Sequence, residues 1–288
     1  MRWSFLNYIM FKSSRKKLIA LGCSYTEHYI RSSISPNINH NFTRWPQHLA
    51  DMLDMECINL GSSGSGNDQI LAKALDVSLN EKNIGLIVLM WSEWQRVGFQ
   101  TIQGHEEYGS ITKSEGWNRW DQVTPHQTDV LSEAIFEKQN PIHATRTTFR
   151  TFIYAENFLR NLPYLFIQGT NPLVYETSEE RKKRRDDILA GRPVVDGLMG
   201  KINQGILQTT KEIISSPYLN YIEKNIGDKF IGWPVMSELG GYGVDNILDK
   251  VDPMRKKLRI SLKDSHPNAE GHKIISQEIY DAYEKIYV

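Results

Sequence analysis

The feature that most constrains the fold is an apolar run between Ile84 and Trp91, where seven of eight residues are apolar. Such a run is typical of a central parallel strand that is covered on both faces. Shorter runs at residues 17–23 and Cys57–Leu60 precede it, and a segment with helical spacing of apolar residues separates each run from the next. This alternation of strand and helix predicts a parallel sheet with crossover helices.

The C-terminal half predicts two more strands, Tyr164–Gln168 and Phe230–Pro234, so the sheet is expected to have about five. A long helix is expected from Asp129 to Leu162, with an interruption at Pro141. Residues 98–128 have little periodicity and predict an irregular insertion, as in a lid or a binding loop. We therefore expect one domain over residues 17–288, preceded by an N-terminal extension over residues 1–16.

Composition excludes several classes of protein. The chain has 34 Lys and Arg residues against 34 Asp and Glu residues, and a formal net charge of zero disfavours nucleic acid or acidic membranes as partners. Two cysteines, Cys23 and Cys57, are too few for a disulfide framework and favour a reducing compartment. No segment approaches the roughly 20 apolar residues of a membrane helix, and no signal peptide is evident, so a cytoplasmic location is predicted.

Three predicted strands end in polar loops that open on the same edge of a parallel sheet. These loops are Gly22-Cys23-Ser24, Gly61–Asp68 and Trp91-Ser92-Glu93. A fourth polar segment, Asp264-Ser265-His266-Pro267-Asn268, immediately precedes the C-terminal helix. Together they contain a nucleophile, a base, a carboxylate and backbone donors, which are the parts that serine hydrolysis needs. The alternative is that Ser24 only caps the following helix.

At these residues the chain resembles the SGNH/GDSL hydrolases, whose fold is a flavodoxin-like three-layer α/β/α sandwich. The Gly22-Cys23-Ser24 turn is similar to the nucleophile turn of that family, with Cys where Asp is usual. Asn59-Leu60-Gly61-Ser62-Ser63-Gly64 is similar to its second block. The resemblance implies Ser24 as nucleophile, His266 as base and Asp264 as orienting carboxylate. It also implies the Ser24 and Gly64 amides as oxyanion donors.

The chain departs from the family pattern at two places. The usual Asp-x-x-His spacing would put the carboxylate at position 263, where Lys263 stands, and Asp264 is only two residues before His266. The Asn-bearing block after the third strand is replaced by Trp91-Ser92-Glu93-Trp94-Gln95-Arg96. Asn67 is therefore a candidate for the missing side-chain donor, and the alternative is that Asn67 caps the helix that follows it.

The sequence thus predicts a serine esterase that acts on small acyl or acetyl groups, with a small ester or an acylated glycan as substrate. It predicts no cofactor, and His105, Glu106 and His126 do not have the spacing of metal ligands. Trp91, Trp94 and Trp233 are expected to pack in the core, with an aromatic platform for a sugar or acyl group as the alternative.

Two other functions remain open. One is a catalytically weak SGNH-like domain that binds carbohydrate or serves as a phage structural or accessory module. The missing Asn-bearing block motivates the weak domain, and the resemblance of members with a Gly-Cys-Ser turn and a Trp-Ser segment to bacteriophage-encoded proteins motivates the accessory role. The other is a nucleotide binder that uses Gly61–Asp68 as a phosphate loop. The oligomeric state stays open.

Overall fold

The structure is a computed structural model, and it describes most of the chain with several gaps. The described residues are 15–28, 37–38, 40–106, 119–123, 134–135, 141–173, 210–211 and 213–288. For residues 99–106, 119–123 and 141, only the backbone is described. Most of the expected N-terminal extension and His126 lie outside the described residues.

Five parallel strands form the central sheet. They are β1 (Lys17–Leu21), β2 (Glu56–Asn59), β3 (Ile84–Trp91), β6 (Tyr164–Gln168) and β7 (Phe230–Ile231). Their spatial order is β2-β1-β3-β6-β7, which is the flavodoxin-like order 2-1-3-4-5 when only these strands are counted. The predicted five-stranded parallel sheet is confirmed.

Among the α-helices whose bounds the structure describes, six cover this sheet. They are α1 (Trp45–Met52), α2 (Asn67–Asn80), α3 (Pro141–Leu159), α4 (Pro217–Asn225), α5 (Val244–Val251) and α6 (Ala269–Tyr287). Consecutive residues of a strand point to opposite faces, so the sheet needs apolar cover on both. Ile19 and Leu21 of β1 pack in a core with α2, α3 and α4, whereas Leu18 and Ala20 pack in a second core with α1, α5 and α6. The architecture is therefore the expected three-layer α/β/α sandwich.

The stretch expected to be irregular contains regular structure. The strands β4 (Val97–Glu106) and β5 (Arg119–Val123) pair antiparallel, with a register shift between Gln100 and His105. Asp68 at the start of α2 accepts a hydrogen bond from the Gly98 backbone N–H at 2.9 Å, which joins this ribbon to the main body. The ribbon was missed because it is rich in Gly and polar residues, which mask the alternation of a strand.

Other boundaries differ only in detail. The helix expected from Asp129 has its described continuous part from Pro141 onward, and most of residues 129–140 lie outside the described residues. Among the helices that the structure describes, none is long and apolar enough to cross a membrane.

Candidate active site

The turn that carries Ser24 follows β1 directly. The backbone N–H groups of Thr26 and Glu27 both donate to the Cys23 carbonyl, at 2.9 and 3.2 Å, so Ser24 lies in a single tight turn. A Cβ at Gly22 would come within 2.2 Å of Thr26 Oγ1, so only glycine permits this close approach. No described helix begins at Ser24, and its hydroxyl contacts a histidine instead of capping backbone N–H groups, which argues against the alternative of a helix cap.

The structure brings Ser24, His266 and Asp264 together although 242 residues separate the serine from the histidine. Ser24 Oγ lies 2.9 Å from His266 Nε2, and His266 Nδ1 lies 2.6 Å from Asp264 Oδ1. Ser24 is 8% exposed and Asp264 is 4% exposed, whereas the His266 side chain is 29% exposed. The imidazole is therefore open to solvent on one side and bonded to a buried carboxylate on the other.

A tight hairpin over residues 260–266 lets the carboxylate of Asp264 reach the ring of His266, although only one residue separates them. The Ile260 backbone N–H donates to the His266 carbonyl at 2.8 Å, and Ser261 and Asp264 exchange backbone hydrogen bonds of 3.2 Å. At this turn Asp264 Oδ1 accepts from both the His266 backbone N–H and the ring nitrogen. The side chains at positions 264 and 266 therefore converge. Asn268 then caps α6 by accepting from the N–H groups of Glu270 and Gly271, each at 3.1 Å.

Tyr25 packs against His266, a contact that the sequence did not predict. Its ring meets the His266 ring edge-on, with centroids 5.4 Å apart. Its hydroxyl lies 3.1 Å from Asp245 Oδ1 and 3.3 Å from the Ser265 carbonyl, and both are acceptors. Burial raises the pKa of Tyr25 well above its ordinary value, so the phenol stays protonated and can donate.

Asp245 contacts both Tyr25 and Arg259 of the hairpin that carries His266. Burial raises the pKa of Asp245, and the Arg259 guanidinium, 3.0 Å away, opposes that rise. Arg259 belongs to the hairpin that carries His266, and its Nη2 also lies 3.0 Å from Asp249 Oδ1. The hairpin is thus fixed to α5 by charged hydrogen bonds.

Asn59 joins the loop after β2 to the turn that carries Ser24, a role that its place in the sequence did not predict. Its Nδ2 donates to the Thr26 carbonyl at 2.5 Å, and its Oδ1 accepts from the Gly61 N–H at 2.9 Å. The Ser62 N–H donates to the Gly22 carbonyl at 3.0 Å, which adds a direct backbone link. The loop then turns at Gly64, whose φ of +77° favours glycine.

The Asn67 carboxamide is bonded to the loop after β3. Its Oδ1 accepts from the Ser92 N–H at 2.9 Å, and its Nδ2 lies 3.3 Å from the Ser92 carbonyl. The alternative that Asn67 caps α2 is wrong, because Gly66 occupies the N-cap position. In the segment Trp91–Arg96, which follows the main part of β3, Glu93 and Arg96 form a buried ion pair at 3.1 Å.

His272, in the first turn of α6, is buried beside the N-terminus of α1. Its Nδ1 accepts from the Trp45 N–H at 3.3 Å, and its Nε2 lies 3.2 Å from Arg44 Nη1. Burial, together with the nearby positive charge of Arg44, holds the pKa of His272 well below its usual range. His272 is therefore a neutral structural residue.

Two of the tryptophans considered for an aromatic platform lie in the hydrophobic core. Trp91 and Trp94 are buried and pack edge-on against Phe166 and Phe149, so they do not offer an exposed platform. No group of three or more His, Cys, Asp or Glu side chains suited to a metal occurs among the described residues.

No family model matches the chain, and no curated protein matches it. Among solved structures, the chain is similar to a lipolytic protein of the G-D-S-L family from Desulfitobacterium hafniense DCB-2. That likeness has 12% identity and a TM-score of 0.43, and it covers 93% of this chain and 99% of the other. A member of the lipolytic protein G-D-S-L family from Veillonella parvula DSM 2008 is similar at 10% identity and a TM-score of 0.43, over 94% of this chain and 98% of the other. Neither likeness assigns an activity to this chain.

Proposed function

We propose that this protein is a serine hydrolase that cleaves carboxylic esters of small acyl groups through an acyl-enzyme. The observation that carries the proposal is the unbroken chain of contacts from Ser24 through His266 to the buried Asp264. Nucleophile, base and orienting carboxylate in this order are the arrangement that activates a serine hydroxyl.

In the proposed reaction, Ser24 Oγ attacks the ester carbonyl while His266 Nε2 takes the hydroxyl proton. Asp264 accepts from Nδ1–H, which keeps Nε2 free to accept and stabilises the imidazolium that forms. The proton then passes to the departing alcohol oxygen as the acyl–oxygen bond breaks. Water, activated by the same imidazole, hydrolyses the acyl-enzyme and restores the Ser24 hydroxyl.

The negative oxygen of the tetrahedral intermediate needs donors that are already in place. The proposed donors are the backbone N–H groups of Ser24 and Gly64, which lie on two loops that Asn59 ties together. Asn67 is the third proposed donor, through the Nδ2 hydrogen that does not face Ser92, because a carboxamide nitrogen carries two.

The preferred test is hydrolysis of 4-nitrophenyl acetate by the wild-type chain and by Ser24→Ala and Asp264→Asn. We expect turnover by the wild type, loss of turnover in Ser24→Ala and a strong decrease in Asp264→Asn. Failure to hydrolyse this and other short-chain esters by a folded wild-type protein would contradict the proposal and favour the carbohydrate-binding or phage accessory module. An acetylated glycan is the proposed natural substrate class to examine next.

A further inference from the structure

Two neighbouring residues of the turn after β1 contact two neighbouring residues of the hairpin that carries the histidine. Ser24 Oγ lies 2.9 Å from His266 Nε2, and the hydroxyl of the next residue, Tyr25, lies 3.3 Å from the Ser265 carbonyl. The Tyr25 ring also meets the His266 ring edge-on. Two contacts side by side restrict the rotation of one segment against the other, which a single contact does not.

A buried carboxylate holds the Tyr25 hydroxyl in place. One oxygen, Asp245 Oδ1, lies 3.1 Å from that hydroxyl and 3.0 Å from Arg259 Nη2. Arg259 lies on the same hairpin as the histidine, where it forms a β-bridge with Pro267, the residue after His266. Asp245 therefore accepts one hydrogen bond from the turn and one from the hairpin, and α5 supplies a fixed support between them.

The Tyr25 hydroxyl is turned into the protein and away from substrate. Tyr25 is only 3% exposed, and both acceptors of its hydroxyl belong to the protein. Its influence on a reaction at Ser24 therefore passes through the relative position of Ser24 and His266. Such an influence can be large, because a misplacement of reacting groups by about 1 Å can cost about 100-fold in rate.

We propose that Tyr25 is a positioning residue whose hydroxyl keeps His266 Nε2 within hydrogen-bond distance of Ser24 Oγ. The inference rests on the proposed esterase function and deepens it, because it names the group that sets the distance between nucleophile and base. Tyr25→Phe keeps the ring but removes the hydroxyl, so kcat should fall by about 10- to 100-fold. KM should change by less than about twofold, because no group that faces the substrate is lost.

Tyr287→Phe is the matched control. The Tyr287 hydroxyl donates to the Tyr164 carbonyl at 2.9 Å and accepts from the Tyr164 N–H at 3.0 Å. Tyr164 begins β6, whereas the candidate site lies at the carboxyl ends of the strands. Both substitutions remove a phenol hydroxyl with two partners, so both should lower the urea concentration at the midpoint of unfolding. Only Tyr25→Phe should lower kcat.

NMR of the nitrogen-labelled imidazole measures the contact between Ser24 and His266 without any substrate. The Nε2 resonance depends on the hydrogen bond that this nitrogen makes, and Ser24→Ala supplies the reference for its loss. Tyr25→Phe should move the His266 Nε2 resonance from its wild-type position toward its position in Ser24→Ala. Tyr287→Phe should leave the resonance at its wild-type position.

The two measurements separate failure of this inference from failure of the esterase proposal. If the wild type hydrolyses no ester but Tyr25→Phe moves the resonance as expected, the positioning role stands and the esterase proposal fails. If Tyr25→Phe leaves the resonance unmoved, or if wild type and Ser24→Ala have the same resonance, the positioning role is overturned whether or not esters are hydrolysed. A kcat equal to that of Tyr287→Phe, or a loss confined to KM, overturns it as well.

Discussion

Substitution of Asn59 tests how the loops of the site are held together, because its side chain joins the turn that carries Ser24 to the loop that carries Gly64. The exposed fraction of Asn59 is 7%. Its carboxamide bonds to the Thr26 carbonyl and to the Gly61 N–H. Asn59→Ala removes both partners at once and leaves a carbonyl and an N–H without them.

The magnitude follows from the burial of these two groups. An unsatisfied buried group costs about 1–3 kcal/mol. The bond to Thr26 is buried and the bond to Gly61 is partly buried, so we expect Asn59→Ala to lower the free energy of unfolding by about 2–4 kcal/mol. Because the loops that carry Ser24 and Gly64 lose their link, kcat/KM should fall by about 100-fold, as for a small misplacement of reacting groups.

Urea denaturation and ester hydrolysis measure the two effects. Asn59→Asp keeps an acceptor for Gly61 but turns a second oxygen toward the Thr26 carbonyl, so it should destabilise the fold at least as much. Asn157→Ala is the control, because Asn157 donates to the Ile153 carbonyl on the exposed face of α3. If Asn59→Ala matches this control in unfolding free energy and in kcat/KM, the proposed link between the loops is refuted.

Three further changes test the turn at Gly22, the carboxylate of Asp264 and the buried His272. Gly22→Ala places a Cβ within 2.2 Å of Thr26 Oγ1, so thermal unfolding should show a loss of about 1–3 kcal/mol; an unchanged midpoint would contradict the close approach. Asp264→Asn should lower kcat by about 10³- to 10⁴-fold while circular dichroism shows a native fold, and an unchanged kcat would exclude an orienting role. His272 is held neutral by burial, so the unfolded state binds more protons below about pH 6.5 and stability should fall from pH 7 to 5, by at most about 1.4 kcal/mol per pH unit. His272→Gln should flatten this slope and His143→Gln, on an exposed side chain, should not; equal slopes in all three proteins would rule out the buried neutral histidine.

The sheet could be predicted from sequence because its strands are buried on both faces. The runs Ile84–Trp91 and Tyr164–Gln168 are nearly continuous in apolar residues and end at polar or glycine-containing loops. The ribbon β4–β5 has no such signal, because Val97–Glu106 mixes Gly and polar residues with a few apolar ones. Its pairing depends on contacts between segments, which local periodicity does not report.

The residues of the candidate site also fall into those with a local sequence signal and those without one. Ser24, Asp264 and His266 belong to short motifs next to predicted strand and helix ends, so local pattern was sufficient to select them. Tyr25 and Asp245 interact across 220 residues of sequence, and neither has a local signature. Their roles emerge only when the tertiary fold brings the two segments together.

In the proposed mechanism His266 makes Ser24 a nucleophile, and covalent labelling detects that reactivity without a substrate. The wild-type protein and His266→Ala are treated with a fluorophosphonate, and the mass of the adduct is mapped to a peptide. The proposed mechanism predicts one adduct on Ser24 in the wild type, formed far more slowly in His266→Ala. No adduct, an adduct on another residue, or equal labelling of both proteins would contradict it.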